Sequence, residues 1–217
     1  MNIIANILGL LLCATPAIAG TLPPTLLQIV GVQLETARLS DSVLVIVDAQ
    51  REYVDGKLRL PGIEESLAVG ARLLARARAA GTPIVHVAHS GGGPLFNPQD
   101  VYVEVAAPLA PKPGETVVRK KLPNAFAGTD LQNLLAQTGR KRLIVIGYMT
   151  HMCVSTTVRA ALDLGYQTTV VAAATATRDL PDGHGGSIPA RTVQAANLAA
   201  LADRFAKVVM NAEDIPD

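Results

Sequence analysis

Along this chain, short apolar runs alternate with longer segments whose apolar residues recur at helical spacing, and that alternation leaves few folds open. Strand-like runs are read at residues 42–47, 84–88, 116–119, 143–146, 168–172 and 206–210, and helical patterns at 63–80, 129–138, 153–164 and 188–203. Gly81, Gly139 and Gly165 stand where three of the helices must stop, each a few residues ahead of the next strand. Such an order predicts a mostly parallel sheet of about six strands, covered by helices on both faces. In open sheets of this kind ligands bind beyond the carboxyl ends of the strands, so those ends are where functional residues are sought.

At 217 residues, with 49% hydrophobic residues and a net charge of +1, the chain suits one globular domain with a sizeable core. No basic run or aromatic-interleaved basic stripe occurs, which argues against nucleic acid as a partner. Residues 1–19 form an apolar segment ending in Ala17-Ile18-Ala19 before Gly20, the pattern of a signal peptide, although no Lys or Arg opens it. The segment is too short to span a bilayer well, so no stable membrane span is expected in the mature chain. Cleavage would make the protein periplasmic or secreted; the alternative is a cytoplasmic enzyme with an apolar start. Residues 20–40, with Pro23-Pro24, read as an extension or linker, and residues 41–217 as the folded domain. Removal of the signal segment takes Cys13 with it and leaves Cys153 without an intramolecular disulfide partner, which suits a working thiol.

Cys153 stands where an apolar strand turns into a helix. Leu143 to Ile146 is a β-branched, uncharged run closed by Gly147, and from Cys153 the apolar positions Val154, Val158, Ala161 and Leu162 follow a helical face. The N–H groups and dipole of a first helical turn favour thiolate and can hold an oxyanion, while the competing reading is a buried cysteine that only packs. Asp48 follows directly on the apolar run that ends at Val47, a setting that raises a carboxyl pKa and suits proton transfer, or else makes it a turn aspartate. Lys120 and Lys121 follow the third run; cations there are often only solvated surface. Taken together, a carboxylate, an ammonium and a thiol at one end of one sheet are the parts of a nucleophile, its acid/base partner and a stabilising charge.

From about Ser42 onward the chain resembles the isochorismatase-like cysteine hydrolases, through three motifs in order. Val47-Asp48-Ala49-Gln50 resembles the family's D-x-Q, and Lys120 to Leu131 its K-x-x-x-S-A-F-x-G-T-x-L, with Asn124 in place of Ser. Gly147 to Val154 resembles its G-x-x-T-x-x-C-V. The resemblance implies a doubly wound three-layer α/β/α fold and a triad of Asp48, Lys120 and Cys153, choosing Lys120 over Lys121. It further implies a cis peptide at Met149-Thr150, and an oxyanion hole from the backbone N–H groups of Thr150 and Cys153. The implied reaction is hydrolysis of a small amide, imide or carbamoyl C–N bond through a thioester, with no redox cofactor.

Gln50, Tyr53 and Phe126 are candidate walls of the substrate pocket, with core packing as the competing role for the two aromatic residues. His86 and His89 are three apart on a strand and so face opposite sides, which makes them poor metal co-ligands. The surrounding segment also lacks the aspartate of the metal motif in the related nicotinamidases, and no metal is expected. His151 is a competing base beside Cys153 or a polar rim residue, and His184 sits in a glycine-rich loop that is either solvated or covers a site. Gly91 to Gly93 match no phosphate-binding pattern. The rival functions are isochorismatase-type vinyl-ether hydrolysis and a non-hydrolytic thiol protein that senses redox state or binds a small molecule. A small-molecule substrate and a homo-oligomeric state complete the expectations.

Overall fold

The computed structural model describes residues 22–217. The expected signal peptide over residues 1–19 lies outside them. A short helix α1 (Leu26–Ile29) precedes strand β1 (Ser42–Val47) and helix α2 (Ile63–Ala79). Strands β2 (Ile84–His89) and β3 (Thr116–Lys120) lead to helix α3 (Leu131–Gln137) and strand β4 (Arg142–Tyr148). Helix α4 (Ser155–Asp163), strand β5 (Gln167–Ala176) and a small hairpin of β6 (Leu180–Pro181) and β7 (Ser187–Ile188) follow. Helix α5 (Ala190–Arg204) and edge strand β8 (Ala206–Val209) complete the order.

The main sheet has six strands in the order β3-β2-β1-β4-β5-β8, every pair parallel. Period-two geometry divides β1 between two cores. Leu44 and Ile46 join Ile63, Leu67, Leu73 and Leu74 of α2 on one face, whereas Val43, Val45 and Val47 join Leu131 and Leu135 of α3, Val158 of α4 and Leu201 of α5 on the other. The result is the three-layer, doubly wound α/β/α arrangement. From β1 the chain winds outward to β2 and β3, then returns to lay β4 on the other side of β1. The crevice between the carboxyl ends of β1 and β4 is therefore the topological switch point, where open sheets of this class place their ligands.

The segment read as a linker is in part structural. Thr25 caps α1 in a reciprocal capping box with Gln28, and Ala37 and Leu39 are buried in the first core. Ala37 N donates to Thr169 Oγ1 at 2.9 Å and Leu39 N to Pro216 O at 2.9 Å. Two isolated apolar residues held by remote partners leave no periodic signal, which is why this stretch reads as featureless in the sequence. Among the described residues no helix is long and apolar enough to cross a membrane.

Candidate active site

Asp48 is the first residue beyond β1, and its backbone takes a left-handed φ of 47°. A non-glycine residue rarely adopts that region, so the turn holds the carboxyl at a defined place. The turn is fastened by Asp48 N donating to Val87 O at 2.8 Å. Lys120, the last residue of β3, alternates inward with Val118 and is buried, while Lys121 points to solvent. Lys120 Nζ lies 2.6 Å from Asp48 Oδ2 and donates to Cys153 Sγ at 3.2 Å. Three residues from three separate strand ends thus meet around one ammonium group.

Cys153 is placed by β4. That strand loses its register with β5 between Val145 and Gly147, and Gly147 has a φ of 118° with Val47 O only 1.9 Å from where a Cβ would stand. The close approach brings the end of β4 against the residue before Asp48. Beyond Tyr148 the chain enters a wide helical turn, Thr150–Val154, that runs on into α4. Met152 N and Val154 N both donate to Met149 O, and among the described residues no backbone bond leaving the turn starts from the N–H of Thr150 or Cys153.

The cis peptide lies one position earlier than the motif comparison implied, between Tyr148 and Met149 instead of Met149 and Thr150. The reason is local: β4 runs on through Tyr148, and Met149 is an extended residue (φ −84°, ψ 144°) that hands the chain to the helical turn at Thr150.

Electrostatics also differ from the expectation of a thiolate. Burial, and then the charge of Asp48, push the Cys153 thiol up to about 12, against a weaker pull from Lys120. At neutral pH the resting group is therefore a thiol. Burial likewise raises the Asp48 carboxyl, with Lys120, the Cys153 thiol and His89 N–H acting in the opposite direction. Both Asp48 oxygens lack a hydrogen bond of good geometry, so the close Lys120 contact is an ion pair off the hydrogen-bond direction. A buried carboxylate with spare acceptor capacity beside a protonated thiol is arranged so that it can accept a proton.

Of the expected pocket walls, only Tyr53 stands near this chemistry. Its ring packs edge-on at 5.1 Å from Phe96 and 6.0 Å from Tyr148, and its hydroxyl is held well above the usual value by burial and then by Asp48 and Cys153. Gln50 is not a pocket wall: it is fully buried, its Nε2 donates to His89 O at 2.9 Å and Val103 O at 2.7 Å, and its Oε1 accepts from His89 N at 2.8 Å. An amide with these bonds made is a strap between β1 and β2. Phe126 stacks at 6.2 Å on Tyr166, which precedes β5 at that strand's amino end, so it packs α-helical core away from the strand ends.

The histidines separate by partner. His86 Nε2 lies 2.9 Å from Glu115 Oε2 on one strand face, whereas His89 Nδ1 lies 3.3 Å from Lys120 Nζ. Burial and then Lys120 hold His89 below the ordinary histidine value, so as a neutral ring it accepts from the ammonium. Sequence reasoning weighed His89 only as a metal ligand; its position at the end of β2 was the signal that it belongs to the site. His151 turns away toward Thr177, with Nδ1 2.5 Å from Oγ1. His184 sits in the exposed hairpin turn, where Asp182 Oδ1 accepts from His184 N and Gly186 N. Phe96, with a φ of 52°, was not singled out, and no periodic pattern marks it: its N–H donates to buried Glu52 and its ring packs at 5.2 Å from His89.

The model of the isochorismatase domain matches residues 42–213 of this chain. The secreted isochorismatase effector Isc1 of Verticillium dahliae is 44% identical over 84% of this chain and 94% of its own length. A streptothricin hydrolase of Streptomyces noursei is 36% identical over 80% of this chain and 69% of its own. Among solved structures, an isochorismatase from Pseudomonas putida KT2440 superposes with a TM-score of 0.85 at 43% identity, covering 89% of this chain and 99% of that one.

Proposed function

We propose, since this chain belongs to the isochorismatase family of hydrolases, that it is a cysteine hydrolase cleaving a small amide, imide or carbamoyl C–N bond. The observation that carries the reading is a buried thiol and an under-bonded carboxyl held by one ammonium at 3.2 Å and 2.6 Å, with burial raising both acids. Such a pair is suited to C–N cleavage, because an amine leaves only if it receives a proton.

In the proposed cycle Asp48 takes the Cys153 proton as sulfur attacks the carbonyl carbon, and Lys120 balances the charge that moves from carboxylate to sulfur. The oxyanion falls to the N–H groups of Thr150 and Cys153, a role supported by their having no backbone acceptor outside the turn among the described residues. Asp48 then passes its proton to the departing nitrogen, leaving a thioester. A water molecule, losing a proton to Asp48, attacks the thioester; sulfur leaves, recovers that proton, and a carboxylic acid is released.

The test is ammonia release by the full chain from primary amides, ureides and N-carbamoyl amino acids, beside Cys153→Ser. Release that vanishes in the variant is expected; release that persists in it, or none across the panel, overturns the reading. The name of the Verticillium relative supports a second reading, vinyl-ether hydrolysis of isochorismate, which consumption of that compound without ammonia would establish.

That relative is also named as secreted, which supports removal of residues 1–19 ahead of an extension over 20–40 and a catalytic domain over 41–217. Sequencing the mature amino terminus should give Gly20; Met1 would overturn export by cleavage. We further propose a homo-oligomer, to be checked by sedimentation.

A further inference from the structure

A lysine ammonium carries three protons on a rotor, and the acceptors around it decide where they point. Lys120 Nζ lies 2.6 Å from Asp48 Oδ2 but off the hydrogen-bond direction, so that contact is one of charge and does not set the rotor. The two contacts of good geometry go to Cys153 Sγ at 3.2 Å and to His89 Nδ1 at 3.3 Å. His89 and the nucleophile thus aim the ammonium together, and no step of the proposed cycle uses His89.

The sheet enforces this contact. His89 and Lys120 are register partners across β2 and β3, each two residues beyond a valine, Val87 or Val118, that faces the second core. Residues in register on neighbouring parallel strands share a face, so the two side chains stand side by side. Ser90 N donates to Lys120 O at 2.9 Å and fastens the strand ends. The His89 backbone is held on both sides by Gln50, whose Oε1 accepts from its N–H and whose Nε2 donates to its carbonyl. Phe96 backs the ring edge-on at 5.2 Å, and Glu52 Oε2 holds Phe96 by accepting from its N–H at 3.1 Å. Burial and then the Lys120 charge favour the neutral ring, which carries its hydrogen on Nε2 when Nδ1 accepts. A space-filling role accounts for the Phe96 contact and leaves the ring nitrogen beside the ammonium unexplained.

We propose that His89 is a positioning residue for the hydrolytic reaction: by accepting one hydrogen bond from Lys120 it keeps another aimed at Cys153 Sγ and leaves both Asp48 oxygens free to receive the thiol proton. Without it the ammonium turns its protons onto Asp48, the stronger acceptor, which ties up the base and abandons the sulfur. The proposal deepens the cysteine hydrolase reading and rests on it.

The tautomer is read first, by nitrogen NMR of the full chain labelled at histidine, at neutral pH. A bare Nδ1 and a protonated Nε2 are expected at His89; the reverse tautomer or an imidazolium overturns the proposal, and this arm stands even where a variant fails to fold. Two variants then separate the acceptor from the space it fills. His89→Asn keeps an oxygen near the place of Nδ1, whereas His89→Leu fills a similar volume with no acceptor. Alkylation of Cys153 by iodoacetamide, followed on its own peptide at one alkaline pH, should slow about 10-fold in His89→Leu as the thiol loses a charged hydrogen bond, and recover in His89→Asn. On any amide of the panel above that is turned over, kcat should fall roughly 100-fold in His89→Leu with KM little changed, and His89→Asn should restore most of it. Unchanged or faster alkylation in His89→Leu, a loss confined to KM, or no rescue by His89→Asn overturns the proposal. The two readings fail separately. Cysteine-dependent ammonia release that is indifferent to His89→Leu removes the positioning role alone, whereas the expected tautomer and alkylation pattern with no ammonia from any amide removes the C–N chemistry alone.

Discussion

A single ammonium group decides the state of its neighbours at the residue scale. Lys120 serves Asp48, Cys153 and His89 at 2.6, 3.2 and 3.3 Å, so removing its main counter-ion is costly. Asp48→Asn should abolish turnover and also lower unfolding free energy in urea by about 3–5 kcal/mol, the usual result of stranding a buried charge. Preserved stability would show that Lys120 finds other compensation. The thiol gives a prediction of opposite pH sense. Cys153 titrates near 9.0 when unperturbed and is pushed up to about 12 here, so between those values the folded state keeps a proton that the unfolded chain has lost. Stability therefore falls as pH rises through that window, by on the order of 4 kcal/mol at full titration. Cys153→Ala should flatten that part of the curve, and an unchanged slope would mean that the thiol is not held protonated. Alkylation by iodoacetamide should accordingly be slow at neutral pH.

Elements matter here for how their ends are fastened. Gly147 joins two requirements in one position, a φ of 118° and contact with Val47 O, so Gly147→Ala must move either β1 or β4. Thermal melting should register a loss of several kcal/mol, beyond the roughly 1 kcal/mol of a glycine-to-alanine change in ordinary backbone. A variant that melts normally would mean that the strand ends have slack. Gln50 fastens the end of β1 to His89 of β2 through two bonds and to Val103 through a third, and Gln50→Ala should cost about 2–4 kcal/mol by leaving those backbone groups unpaired. Because the strap holds His89, activity should fall as well, with the loss in kcat. The same variants separate holding from chemistry, since neither residue touches the thiol.

The whole molecule is a doubly wound sheet whose two ends do different work. At the carboxyl end stands the site; nearer the other end, Arg78 and His86 close on Glu115, with Arg78 Nε 2.7 Å and His86 Nε2 2.9 Å from its oxygens. Arg78 chiefly holds that carboxyl down to about 2, against 4.5 unperturbed. The stability it supplies is present above 4.5 and disappears as pH falls toward 2. Glu115→Gln should therefore be less stable at neutral pH and show a shallower acid limb, with little change in turnover. Much of this architecture was legible beforehand: β-branched runs and closing glycines gave all six strands of the main sheet to within a few residues, because buried parallel strands and helix stops leave local marks. Asp48, Lys120 and Cys153 could be named because each follows an apolar run, and motif spacing chose between adjacent lysines. The strap role of Gln50, the packing of Phe126 and the place of the cis peptide could not be read that way. Each depends on which strand ends stand side by side, and that follows from the order β3-β2-β1-β4-β5-β8, not from any local pattern. The sequence by itself determined the elements and which ionisable groups stand at their ends, since both are written in short-range spacing. Only the tertiary structure decided the protonation of the thiol and the partners of the polar side chains, because desolvation and Coulomb interaction depend on distances between residues far apart in the chain.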